Sequence, residues 1–260
     1  MSDNTTGFIV ASCLRSDDHL GCLIRCLYCI RALHPDQGIV VIVDFSSVYA
    51  LVQKAIETNP SVIFEYGTEG IPADMLFLKY FRDKKYFARA VLLQDSMILK
   101  KPIDTCGVND VQYLWHFTNH RVHWNIISEP DDDFNRANNI NVHDDLNMYI
   151  INNIIQSVGF RDYCKYIYFR KDEWCGCFGT CCILTHDFLA KLDAATDIIH
   201  IQLQMKTNRL RRAIESIFSL ACQYVTARNM ENGHDGLYYD GTNGHMLNGD
   251  IISKESFNRQ

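Results

Sequence analysis

Ala90-Val91-Leu92-Leu93-Gln94-Asp95-Ser96-Met97-Ile98-Leu99-Lys100-Lys101-Pro102 is the stretch whose reading decides the fold. Val91 to Leu93 is an apolar run of the kind a fully buried strand shows. Gln94, Asp95 and Ser96 break it, apolar residues resume, and Lys100-Lys101-Pro102 returns the chain to a surface. Polar side chains at the end of a buried strand mark the place where open α/β sheets bind ligands. A carboxylate in apolar surroundings is costly unless a cation or hydrogen bonds compensate it. Asp95 therefore calls for a partner.

The residues upstream supply the rest of a sheet. Gly7 to Ser12 reads as a first strand, and His19 to Leu33 as a helix with Leu20, Leu23, Ile24, Leu27 and Ile30 at helical spacing. Pro35-Asp36-Gln37-Gly38 is a turn, and Ile39 to Val43 a β-branched buried strand ending at Asp44. Val48 to Ile56 fits a helix, Ser61 to Tyr66 a third strand, and Ala73 to Phe81 a helix leading to the strand at Ala90. This alternation predicts an α/β fold, a parallel sheet covered by helices on both faces. Downstream, Val111 to Phe117 reads as a strand, Glu129 to Asn141 as a polar, acidic lid-like loop, and Asp144 to Val158 as a helix. Tyr166 to Phe169 and Gly179 to Leu184 read as strands, with a helix starting at Thr185 and Asp187. Leu210, Ile214, Ile217, Phe218, Ala221 and Val225 mark a strong amphipathic helix, and Asn232 to Asp250 a Gly- and Asn-rich loop. No repeat or linker splits the chain. A single domain over 1–260 is expected.

Composition narrows the function classes. The 260 residues carry a net charge of -6, which argues against nucleic acid as the main partner. The polar start, Met1-Ser-Asp-Asn-Thr-Thr-Gly, lacks the basic and apolar regions of a signal peptide. No window has the ~20 apolar residues of a membrane helix. A soluble protein of a reducing, cytoplasmic compartment is expected. Its 11 cysteines then read as free thiols. Cys22, Cys26 and Cys29 fall on one helical stripe. Cys175, Cys177, Cys181 and Cys182 lack the Cys-x-x-Cys spacing of zinc sites. His116, His120 and His123 would share a face only on a helix, and their surroundings look extended.

The strand ends carry the chemistry. Strand one ends in Ser12-Cys13-Leu14-Arg15, strand two in Asp44-Phe45-Ser46-Ser47, and the fourth in Gln94-Asp95-Ser96. In a parallel sheet these edges lie side by side. No G-x-G-x-x-G follows strand one and no G-x-x-x-x-G-K-[ST] occurs, which disfavours dinucleotide binding by that fingerprint and P-loop chemistry.

Val43-Asp44-Phe45-Ser46-Ser47, Leu93-Gln94-Asp95-Ser96-Met97 and Trp174-Cys175-Gly176-Cys177-Phe178-Gly179, taken in this order, resemble compact GT-A-fold, nucleotide-sugar-dependent glycosyltransferases. Arg209 to Glu215 and Asn248-Gly249-Asp250-Ile251 resemble elements of small glycosyltransferase-like proteins of large DNA viruses and microbes, in which case the host cytoplasm is the compartment. The resemblance implies a Rossmann-type, mainly parallel sheet flanked by helices, with a nucleotide-binding half over about 1–105 and an acceptor-side half over about 106–260. It implies transfer of a hexosyl or pentosyl group from a nucleotide-diphosphate donor, a UDP-sugar for example, to a glycan hydroxyl.

The implied roles follow. Asp95 and Ser96, with Gln94, would position the diphosphate and a divalent Mn or Mg ion. Ser12, Asp44 and Ser46 would hold the nucleoside side, and Arg15 would face the diphosphate. The family's usual acidic motif has two carboxylates, whereas Gln94-Asp95-Ser96 has one. Oxygen donors still suit a hard cation that keeps phosphate and water ligands. His245 would complete the metal shell. On the acceptor side, Asp187 or Glu173 would take the hydroxyl proton. Trp174 would offer a sugar-stacking face, and Gly176 would line the acceptor site. Plainer roles stand beside these: a turn for Asp95, a helix cap for Asp44, a helix start for Asp187, core packing for Trp174, exposed loops for His234 and His245. An alternative reading of the whole is a catalytically weak nucleotide-sugar-binding or scaffold protein on the same fold.

Overall fold

The computed structural model describes residues 5–118, 142–170, 173–230 and 252–254. The chain forms two compact units. The first is built from parts of 1–115, 179–190 and 245–260, the second from parts of 116–178 and 191–244.

The first unit holds a six-stranded sheet. Strand β1 (Thr6–Ser12) leads into helix α1 (Asp17–Leu33), then β2 (Gly38–Val43), α2 (Tyr49–Thr58) and β3 (Ile63–Tyr66). A short 3-10 turn, Ala73–Leu76, precedes α3 (Phe77–Lys84), which returns the chain to β4 (Arg89–Gln94) and the short β5 (Met97–Leu99). Strands β1 to β4 are parallel, with β1 central between β2 and β4. The middles of β1, β2 and β4 are wholly apolar, and Phe8, Ile9, Val10, Val40 to Val43 and Val91 to Leu93 are fully buried. Continuous apolar runs of this kind belong to strands covered on both faces.

Two later strands finish the sheet in the opposite sense. β6 (Val111–Tyr113) and β9 (Cys182–Thr185) give the order β3-β2-β1-β4-β9-β6. β9 is antiparallel to both neighbours and pairs Arg89 with Thr185 and Val91 with Ile183. The sheet is thus mixed and mainly parallel, as the sequence implies. The strand β10 (Ile252–Lys254) pairs antiparallel with β5, with Lys254 opposite Met97.

The second unit is mainly helical. It contains β7 (His116–Thr118), α4 (Val142–Asn153), α5 (Val158–Ile167), β8 (Cys175–Cys177), α7 (Ile198–Leu203) and α8 (Asn208–Met230). Helix α6 (His186–Thr196) begins in the first unit and ends in the second. The long α8 packs on β8, α4, α5 and α7, burying Ile214, Ile217, Phe218 and Ala221. Strands β7 and β8 form a small antiparallel pair.

Several sequence expectations are corrected here. The strand read over Val111 to Phe117 is two strands in two sheets. The break comes where the N–H groups of Leu114 and Trp115 both donate to the Cys181 carbonyl, at 3.0 and 3.4 Å. Tyr166 to Phe169 is no strand: Tyr166 and Ile167 close α5, whose buried residues Phe160, Cys164 and Ile167 recur every three to four positions. The helical period overrides the aromatic, β-branched composition of that run. The helix read to Val158 stops at Asn153, and a second begins at Val158. The loops at 129–141 and 232–250, and His120, His123, His234 and His245, lie outside the described residues. All eleven cysteines are free thiols. Among the described residues no helix is long and apolar enough to cross a membrane.

Candidate functional site

The site starts from one hydrogen bond. Chain geometry brings the C-terminal ends of β1 and β4 together, because Ala11 pairs with Gln94 in parallel register. The Asp95 N–H donates to the Ala11 carbonyl at 3.0 Å. The buried Ser12 hydroxyl then donates to Asp95 Oδ2 at 2.7 Å. Burial lifts the Asp95 carboxyl above its ordinary 3.8, against hydrogen bonds from Ser12 and the backbone N–H groups of Cys13 and Ser96 and the nearby charge of His19. Asp95 is therefore a carboxylate held in place against an unfavourable setting.

The neighbouring strand end is tied to the same floor. The Asp44 N–H donates to the Ser12 carbonyl at 2.7 Å, which continues the β1–β2 pairing by one residue. Asp44 Oδ1 accepts from the Ser46 N–H at 2.9 Å and the Ser46 hydroxyl at 2.5 Å, and Oδ2 accepts from the Ala73 N–H at 3.1 Å. This is an Asx turn with its second oxygen used to anchor the 3-10 turn. Arg15 Nη2 donates to Ser46 Oγ at 2.9 Å, which draws an exposed guanidinium back over the β2 end. The Leu14 N–H donates to Ser47 Oγ at 2.9 Å, and the Val48 N–H to the Leu14 carbonyl at 2.7 Å. Ser12, Arg15, Asp44, Ser46, Gln94, Asp95 and Ser96 thus stand at the C-terminal ends of three adjacent strands, where open α/β sheets form their ligand crevice. Together they carry two carboxylates, three hydroxyls, an amide and one guanidinium, with both Asp44 oxygens already engaged. Next to it lies the N-terminus of α1, capped by Ser16, whose hydroxyl accepts from the His19 N–H at 3.4 Å. Helix N-termini favour anions, although Asp17 and Asp18 in the first turn oppose this.

The other candidates lie elsewhere. Asp187 is exposed in the first turn of α6, which Thr185 caps by accepting from the Phe188 N–H at 3.2 Å. Because β9 runs antiparallel to β4, Thr185 stands beside Arg89, at the opposite end of β4 from Asp95. Six residues of strand separate them, about 20 Å at ~3.3 Å per residue. The structure does not bring Asp187 to the crevice. In the second unit, Trp174 is 2% exposed; its ring lies 5.6 Å from Tyr168, and its Nε1 donates to the Tyr168 carbonyl at 3.1 Å. Gly176 is buried in β8 opposite Phe117. Glu173 is exposed, with Arg170 Nη1 at 3.3 Å and its carbonyl accepting from Gln223 Nε2 at 2.8 Å.

Sequence reasoning missed two features. Phe45 and Tyr66 stand 57% and 50% exposed at the ends of β2 and β3, the first directly between Asp44 and Ser46. A large aromatic inside an otherwise polar strand-end motif was the available signal. His19, which supports the Asp95 charge, also accepts from the Arg15 N–H at 3.3 Å through Nδ1.

No protein-family model matches the sequence, and no curated protein matches it. Among solved structures it is similar to the mannosyltransferase Ktr4p from S. cerevisiae, at 10% identity and a TM-score of 0.47, over 85% of this chain and 66% of that one. Ktr4p in complex with GDP gives 10% identity and 0.45 over 85% of this chain and 67% of that one. The apo bifunctional glycosyltransferase WbbM gives 12% identity and 0.45, over 84% of this chain and 38% of that one. These neighbours are glycosyltransferases, and the chain spans no more than about two thirds of their length.

Proposed function

We propose that this protein is a glycosyltransferase that takes a sugar from a nucleotide-diphosphate donor and passes it to a glycan hydroxyl. The observation that carries this reading is the 2.7 Å Ser12–Asp95 hydrogen bond, which fixes a carboxylate where two parallel strands end. Asp44 and Ser46 sit on the next strand end, where they can meet the ribose, and exposed Phe45 offers its ring to the base. Arg15, held by Ser46, supplies a fork of donors to the diphosphate. Stabilising that leaving group is the main electrostatic demand of the reaction.

A divalent cation fits this edge in a limited way. Asp95 already accepts from Ser12, Cys13 and Ser96, which leaves about one of a carboxylate's four lone-pair directions free. Asp95, with the oxygens of Gln94 and Ser96, could hold Mg²⁺ or Mn²⁺ only alongside diphosphate and water. When bound, such an ion would neutralise charge on the leaving diphosphate. Of the two carboxylates proposed to take the acceptor proton, Asp187 stands at the far end of the sheet from Asp95, and Glu173 is kept on its chemistry alone, as an exposed carboxylate. Eleven free thiols accord with a reducing, cytoplasmic compartment.

A second reading, nucleotide-sugar binding with little turnover, is favoured by the lone carboxylate of Gln94-Asp95-Ser96. One experiment separates the two. The purified protein is incubated with a panel of UDP- and GDP-sugars and acceptor glycans, with Mn²⁺, Mg²⁺ or EDTA, and free nucleoside diphosphate is measured. Turnover that Asp95→Ala abolishes is the expected outcome. Saturable donor binding without release would leave only the second reading, and no binding would remove both.

A further inference from the structure

Three unfavourable features meet beside Gln94. Gly179 adopts φ 58° and ψ 18°, and the next residue, Thr180, has φ 56°. The left-handed region suits glycine, but for a β-branched residue it is a genuine outlier. Thr180 is fully buried, and its hydroxyl makes no hydrogen bond among the described residues. A buried hydroxyl left without a partner is also disfavoured. Finally, a Cβ added at Gly179 would stand 2.9 Å from Gln94 Nε2 and 3.2 Å from its Cδ. Gly179 therefore lies flat against the Gln94 carboxamide.

The chain direction explains why this turn lies near Gln94. β9 pairs Val91 with Ile183 and Ala90 with Leu184. Because β9 is antiparallel, the chain enters it from the side on which β4 ends, and the 3-10 turn Phe178–Thr180 just before it brings Gly179 against Gln94. Strained backbone persists where the surrounding structure over-determines it, and it gathers at functional sites. Here it lies at the entry to β9, with Gly179 against the residue that precedes Asp95.

We propose that Gly179 and Thr180 form a rigid stop that fixes the Gln94 carboxamide, and that Gln94, so held, reads the hydroxyl pattern of the donor's sugar. This rests on the glycosyltransferase reading. The chemistry of the side chain chooses the ligand group. A neutral amide brings no charge to a diphosphate, but it offers both donor and acceptor, the pair that a sugar hydroxyl needs. Sites built to hydrogen-bond a hydroxyl discriminate strongly against ligands that misplace it. Gln94 contacts substrate in this scheme, while Gly179 and Thr180 are positioning residues.

The test is a double-mutant cycle read by calorimetric binding of UDP, GDP, UDP-glucose, UDP-galactose, GDP-mannose and GDP-glucose. The wild type should prefer one of a pair of epimeric sugars on the same nucleotide. Gly179→Ala should reduce that preference about tenfold or more, the scale of a lost hydroxyl contact, while affinity for the bare nucleoside diphosphate holds within about twofold. Gln94→Ala should lower the preference by the same factor, and Gly179→Ala on that background should lower it no further, because the added Cβ no longer meets an amide. Equal binding of the epimers by the wild type, unchanged preference in Gly179→Ala, or additive effects in the double variant would each overturn the proposal while the nucleotide-sugar reading survives. No binding of any probe by the wild type overturns that reading and this one with it. If Gly179→Ala does not fold, Gln94→Ala decides alone, and a retained preference overturns the proposal.

Discussion

At the residue scale, the Asp95 carboxylate costs stability when it is charged. Its folded carboxyl titrates above its ordinary 3.8, with burial as the cause. The folded state therefore holds the proton more tightly than the unfolded chain, and this contribution to stability falls as pH rises from about 4 through the folded value. Asp95→Asn carries no charge to desolvate. It should melt higher than the wild type at pH 7, with the gap closing near pH 4, while donor turnover is lost. Thermal melts at the two pH values check the first part, and a variant less stable at pH 7 would refute it. His34 works in the opposite sense. Its Nε2 accepts from the Ile103 N–H at 3.0 Å, and burial lowers its titration below the ordinary 6.5. A proton on Nε2 would break that bond. The contribution is complete above about pH 6.5 and is lost as pH falls below it. His34→Gln should flatten the pH dependence of stability between about pH 6.5 and 5, measured by urea midpoints; an unchanged slope would exclude the role. The placement of Asp95, Ser12 and Asp44 at neighbouring strand ends was legible because strand ends are marked by a switch from apolar to polar residues. Trp174 was not, because the same residue type serves as a sugar platform or as core, and only its burial against Tyr168 tells which.

At the element scale, the sheet was legible where strand and period agreed. β1, β2 and β4 are continuous β-branched or apolar runs, and their ends fall within a residue or two of the sequence reading. The antiparallel insertion of β9 between β4 and β6 was not legible, since a short run such as Cys182-Ile183-Leu184 carries no mark of direction. That direction is what sends Asp187 to the far end of the sheet. The same far end offers an element-level test. Gly7 of β1 pairs with Gly38 of β2, and the Phe87 ring covers both, so that a Cβ at Gly7 would come within 2.3 Å of ring carbons. Gly7→Ala should destabilise by about 1–3 kcal/mol, the scale of overpacking, and Phe87→Ala should relieve most of the added cost. Because this pair lies away from the strand ends that hold Asp95, nucleotide affinity of the folded variant should stay at the wild-type level. A chemical-denaturation cycle with parallel binding titrations tests both statements, and additivity would show that Phe87 is not the obstacle.

At the scale of the whole molecule, distant parts of the sequence meet just beyond the Asp95 turn. β5 follows Asp95 and Ser96 immediately, and its partner is β10, more than 150 residues later in the chain. Ending the chain at residue 251 should lower the melting temperature and weaken nucleotide binding, because the strand that leaves the Asp95 turn loses its pairing. Calorimetry on the shortened chain checks this, and wild-type affinity would show that β10 is dispensable. The pairing also has a consequence in time. During synthesis the parallel strands β1 to β4 are complete by residue 94, whereas β6 must wait for β9 and β5 for β10. Chains emerge and fold from the N-terminus onward. The nascent protein therefore has its parallel frame early and its finished edge only once residues 252–254 have emerged, so a chain stopped before them would carry Asp95 without the strand pairing that follows it.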